Sequence, residues 1–289
     1  MAKRRLTATE AFELRQALHV ATLDALMASR RWAPGDLVFQ GGTSLHLVHG
    51  SPRFSEDLDF LVRSTLRLDT LSESVSQRLQ GAGWLPRDTG LTVSKARDGR
   101  NPLAFVVTVG GPDVLGAVRV KVKLWQTAGS ALAAVKAVVM PVRLARGPAS
   151  GVQAFVPTAP LSEIYADKVF ALAARPYLKP RDVFDLHWIR THGGSHECSP
   201  EDLRIRLATY PSQTPSAWLE MACVRKVELK ESASAIATDL KRWLPSSWPM
   251  TAGDVQDMIQ AALAALEQGV AAMRVIEAGR RAGRGRVQP

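Results

Sequence analysis

An apolar run at residues 37–40 stops at Gly41-Gly42-Thr43-Ser44. A second run at 54–62 carries Asp57 and Asp59 at alternate positions, the first of them 14 residues after Thr43. Few other features restrict the fold so tightly. A strand that ends in paired glycines and passes into a short helix, residues 43–49 with Gly50 as C-cap, brings the N–H groups of a tight turn to the end of that strand. In the second run, period 2 sends Leu58, Phe60 and Val62 to one face and Ser55, Asp57 and Asp59 to the other. Two carboxylates on adjacent outward positions oppose each other's ionisation unless a cation lies between them. Mg²⁺ answers that need, because it takes hard oxygen donors and completes its shell with water and phosphate oxygens. Gly41 and Gly42 let the backbone approach phosphates closely, the Thr43 hydroxyl and Ser44 follow in the same turn, and the helix N-terminus adds its dipole. Turn and carboxylates together predict an NTP site; a solvated Asp-x-Asp beside an ordinary glycine turn is the reading of either half alone.

The periodicity changes character along the chain. Residues 10–31 and 67–82 have helical spacing, residues 105–109, 118–124 and 138–144 read as strands, and 105–109 is expected to pair with 118–124 through Gly110-Gly111-Pro112-Asp113. Residues 158–279 are helical in pattern with almost no strand signal. The expected fold is therefore α/β (α+β) and bilobed. A small mixed-sheet lobe spans 1–150, and a helical lobe spans 151–289, its Arg-rich tail fraying after about Ala278.

Three further segments carry candidate residues. Lys168 falls on the apolar stripe of residues 161, 164, 165 and 172, so its ammonium either meets an anion, nucleotide phosphate or carboxylate, or extends past its neighbours to water. Asp182, with Asp185 one turn on, is placed to cap or open a helix. Alternation over 118–124 puts Arg119, Lys121 and Lys123 on one strand face, a surface for phosphate or an RNA backbone, or simply a solvated one. His192, His196 and Cys198 supply metal-type side chains without an evident fourth ligand. No serine hydrolase or dinucleotide-binding pattern is present.

The net charge of +10 favours a polyanionic partner. Two cysteines among 289 residues give no disulfide framework and imply a reducing, cytoplasmic setting. No uninterrupted apolar run approaches the roughly 20 residues of a membrane span, so no membrane association is expected.

The segments 39–45 and 53–60 closely resemble the AbiEii-type nucleotidyltransferase toxins of the DNA polymerase β-like superfamily. The likeness continues through Ala166-Asp167-Lys168-Val169-Phe170-Ala171-Leu172 and Arg181-Asp182-Val183-Phe184-Asp185-Leu186, in the family's order. It implies a type IV toxin–antitoxin toxin using an NTP with Mg²⁺, and nucleotide transfer to the tRNA acceptor end, which blocks translation. It also implies a cognate antitoxin. By that resemblance Asp57 and Asp59 are the metal carboxylates with Ser55 beside them, Lys168 holds nucleotide phosphate, and Asp182, with Asp185 second, is the later catalytic carboxylate. One position departs: Lys123 stands where superfamily relatives often carry a third acid. A two-metal site would then lack its bridging ligand: Asp182 or Asp185 could compensate, one metal could suffice, or Lys123, with Lys121 on the same strand face, could contact nucleotide phosphate instead. Two other functions share these residues: modification of a protein hydroxyl or small molecule by the same fold, and non-catalytic RNA binding.

Overall fold

The computed structural model describes residues 3–80, 83–95, 101–144, 147, 149–194, 196–210, 212–248 and 250–285, the side chains of 282–285 excepted. The chain divides into two compact units: the first holds the residues up to Gly50 and Ser55–Ala159, the second Ser51–Phe54 and everything from Pro160.

In chain order the first unit comprises β1 (Arg4–Arg5), α1 (Ala8–Ala28), β2 (Leu37–Gln40), α2 (Gly41–Leu47), β3 (Leu58–Arg63), α3 (Leu71–Leu79), β4 (Gly90–Lys95), β5 (Leu103–Gly110), β6 (Val114–Leu115), β7 (Val118–Thr127), α4 (Gly129–Ala134), β8 (Val138–Arg143) and β9 (Gln153–Thr158). Seven strands form a mixed sheet in the order β4-β5-β7-β3-β2-β9-β8. β3 runs parallel to β7 and β2 parallel to β9, while the remaining neighbours are antiparallel. The alternation in β7 suits its place inside the sheet: Val118, Val120, Val122 and Leu124 are buried, joining Phe39, Phe60 and Val62 beneath Leu14, Leu18, Leu23 and Leu26 of α1. Phe39 and Phe60 are register partners with ring centroids 5.1 Å apart. Each such buried side chain contributes roughly 1.5–3 kcal/mol through the water-exposed area it removes. α1 begins at a capping box in which Thr7 and Glu10 satisfy each other's backbone N–H groups.

Three boundaries differ from the sequence pattern. β3 begins at Leu58 rather than 54: its ladder to β7 starts at Leu58, and residues 51–54 belong to the second unit. Phe54 instead donates its N–H to the Trp243 carbonyl, 2.7 Å away in the second unit. Ser55 and Asp57 therefore precede the strand. The glycines Gly41 and Gly42 form the first turn of α2 itself. The division falls after Ala159 instead of near 150, since residues 153–158 pair as β9 and extend the sheet.

The second unit is helical: α5 (Leu161–Ala174), α6 (Pro180–His192), α7 (Pro200–Thr209), α8 (Pro215–Glu231), α9 (Ala233–Leu240) and α10 (Ala252–Gly285). Within Ala252–Arg281 an 18-residue window reaches a mean hydropathy of 1.2, so by length and composition alone this helix could cross a membrane. Its buried Val255, Met258, Ile259, Ala262, Leu266 and Met273 recur at helical spacing, and it packs on α6 and α8 as a core helix does. α10 continues past Ala278, where fraying was expected; residues 286–289, including the expected basic tail end, lie outside the described residues.

Candidate active site

In the first unit the sheet register aligns Gln40, Asp59 and Lys123 on three neighbouring strands. Lys123 Nζ donates to Asp57 Oδ2 at 2.5 Å and lies 3.8 Å from Asp59 Oδ1. The side chains of Lys123, Asp57 and Asp59 are 26%, 37% and 29% exposed, so this ion cluster is open to solvent and to ligands. Lys123 is thus the counter-ion of both carboxylates. Arg119 and Lys121 alternate with buried residues on the same face of β7 and are exposed.

The backbone around Asp57 is held on both sides. The Thr43 hydroxyl, expected at phosphate, is buried and donates instead to the Asp57 carbonyl. His19 Nε2 donates to the Glu56 carbonyl at 2.9 Å, and burial pushes the imidazole down to about 4, so the ring is neutral with its proton on Nε2. Gly41 has φ +81°, and a Cβ there would meet Asp59 Oδ2 at 3.3 Å. Glycine at this position therefore makes room for the carboxylate as well as for the turn. The Ser44 hydroxyl is fully buried and makes no hydrogen bond among the described residues. Ser55 is half-buried just ahead of β3. His19 carried no sequence signal, as a lone histidine on an apolar face gives none.

In the second unit Lys168, Asp182 and Asp185 come together as a buried ion network. Lys168 Nζ lies 2.6 Å from Asp182 Oδ1 and 2.6 Å from Asp185 Oδ2. Arg53 forks onto Asp185, Nε to Oδ1 at 2.6 Å and Nη2 to Oδ2 at 2.9 Å, and Arg175 donates to Asp182 Oδ2. The inward Lys168 therefore meets carboxylates of its own unit. Asp182 does not cap α6: Pro180 occupies the first turn, Lys179 is the cap residue, and Asp182 points into the network. Burial alone would raise the Asp182 carboxyl, but Lys168, Arg175 and Lys179 outweigh it and hold the group well below the carboxylate range. Asp185 is likewise buried yet depressed, by Arg53 and Lys168. Lys179 is pushed down to about 8 by burial, against the pull of Asp182. Four cations against two carboxylates leave the cluster positive, a suitable environment for phosphate. Arg53 and Arg175 had no sequence-derived role, since their partners lie elsewhere in the chain.

The His192–Cys198 segment forms no metal centre among the described residues. His192 Nδ1 contacts the Trp188 carbonyl at 3.1 Å, His196 packs on Tyr165, and burial pushes the Cys198 thiol up to about 12.

Known proteins resemble this chain in sequence pattern and in fold. The model of the nucleotidyl transferase AbiEii toxin family, type IV toxin–antitoxin system, matches residues 25–233, well over half of the chain, and the chain belongs to that family. It is accordingly a nucleotidyltransferase toxin by family, and an enzyme. Among solved structures, MenT4, a nucleotidyltransferase toxin from Mycobacterium tuberculosis, is 17% identical with a TM-score of 0.50, over 91% of this chain and 85% of that one. A Helicobacter pylori protein with a provisional nucleotidyltransferase assignment is 18% identical with a TM-score of 0.50, over 91% of this chain and 98% of that one. At these identities the likeness is one of fold. No curated protein sequence matches the chain.

Proposed function

We propose that this enzyme transfers a nucleoside monophosphate from an NTP to an RNA 3′ end, the tRNA acceptor end in particular, and so blocks translation in the cytoplasm until a cognate antitoxin restrains it. The observation that carries the reading is the solvent-open cluster of Asp57, Asp59 and Lys123 on the sheet face opposite α1. Its hard carboxylate oxygens fit Mg²⁺, and Asp57 and Asp59 would hold that ion. When bound, the ion neutralises triphosphate charge and orients the nucleotide.

The remaining work falls to the side chains. The RNA 3′-hydroxyl attacks the α-phosphorus, a new phosphodiester forms, and pyrophosphate leaves. Thr43 and His19 fix the backbone on which Asp57 is mounted, and preorganised positioning of this kind supplies most of the rate enhancement in such transfers. Arg119 and Lys121 extend positive charge along β7 on the carboxylate face, which supports a polyanionic acceptor, as does the net charge of +10. The positive cluster around Lys168 and Lys179 supports binding of a nucleotide phosphate. Incubation with each α-labelled NTP, Mg²⁺ and total tRNA tests the proposal. Label on the tRNA 3′ end is expected; label on protein alone, or none with Asp57 intact, would overturn it.

A further inference from the structure

We infer that Lys123 is a built-in second cation, and that this enzyme therefore binds one divalent ion where a two-metal site would bind two. The inference rests on the nucleotidyltransferase reading of Asp57 and Asp59. Lys123 is in register with Asp59 on the adjacent parallel strand, so its Cα position is set by the sheet and not by a mobile loop. Its ammonium reaches both carboxylates, at 2.5 Å from Asp57 and 3.8 Å from Asp59.

Charge and ligand supply both point to the lower stoichiometry. Between them, the two carboxylates and the ammonium carry a formal charge of −1. One divalent ion brings it to +1, attractive to a triphosphate. A second ion would raise it to +3 before any substrate arrived, with the ammonium already holding an oxygen that the second ion would need. An acid in place of Lys123 would lower the fixed charge by two, the charge of one divalent ion. Among the described residues no group of three or more His, Cys, Asp or Glu side chains is placed to hold a metal ion, so the pair has no third ligand of that kind. In a two-metal centre both ions share and flank the reacting oxygens; here one of those positive charges is covalently attached. The fixed ammonium needs no recruitment from solution, and one vertex of the site is closed to exchange.

Mn²⁺ binding to the full chain, counted by electron paramagnetic resonance and by calorimetry with a non-hydrolysable NTP analogue, tests this without turnover. One ion per chain is expected for the wild type and two for Lys123→Asp. Lys123→Met, which removes the cation while keeping the length of the stem, should tighten Mn²⁺ binding without nucleotide by about tenfold or more, the size of one unit-charge interaction at this range. Melting temperature confirms that each variant is folded. Two ions bound by the wild type, none bound, or an unchanged affinity in Lys123→Met would overturn the inference. These outcomes are separable from failure of the proposed reaction: a wild type that binds one Mn²⁺ yet labels no RNA refutes the acceptor and leaves the role of Lys123 standing.

Discussion

The fork of Arg53 on Asp185 makes a quantitative test of how the motif segment is anchored. Arg53 stands four residues before Asp57 in sequence, yet its side chain is 2% exposed and its partner fully buried, with bonds of 2.6 and 2.9 Å. Replacing Arg53 by Met strands part of a buried carboxylate. Removing one member of a buried pair costs about 3–5 kcal/mol, and Lys168, 2.6 Å from Asp185, retains part of the compensation. The expected loss is therefore at the low end, about 3 kcal/mol. Arg53→Lys keeps the charge but cannot form the fork, and should lose about half as much. The double variant Arg53→Met/Asp185→Leu should be less destabilised than the sum of its parts, because no unpaired charge remains. Native-state hydrogen exchange at the α6 amides of Val183 and Leu186 reads the local free energy directly. A loss below about 1 kcal/mol in Arg53→Met, the range of exposed ion pairs, would show that the network is hydrated and that the reasoning from burial fails.

Thr43→Val, isosteric but without the hydroxyl, should cost about 1 kcal/mol in urea unfolding and slow nucleotide transfer by more than that loss explains; unchanged transfer would leave the Thr43–Asp57 bond purely structural. His19 is neutral when folded, with its pKa near 4 against 6.5 unfolded. The unfolded chain takes up this proton first on acidification, so its contribution is full above pH 6.5 and falls by up to about 3 kcal/mol as pH drops toward 4. Urea midpoints measured across that window should decline in the wild type and less steeply in His19→Gln. Cys198 is buried with its thiol raised to about 12, whereas Cys223 is exposed. One thiol should react with a disulfide reagent near pH 8 in the native protein and two after denaturation; two fast native thiols would contradict the burial of Cys198.

Local pattern determined much of this protein. Period 2 in residues 118–124 was enough to separate a buried Val/Leu face from the face bearing Arg119, Lys121 and Lys123, because alternation on a strand is a property of the backbone alone. The short apolar run of β2 and the glycines that end it were also legible, whereas β4 and β9 of the same mixed sheet were not read as strands. Helical spacing likewise put Lys168 on an inward stripe. Tertiary structure decided the partners. Arg53 and Asp185 are 132 residues apart, and Lys123 and Asp57 are 66 apart. β3 starts four residues later than its apolar pattern, since residues 51–54 join the second unit, and the hydroxyl of Thr43 was drawn to the Asp57 carbonyl. Side-chain periodicity reports which face a residue occupies, through geometry repeated every few residues. Which charge meets which depends on strand order and helix packing, set by the burial of the whole apolar set at once.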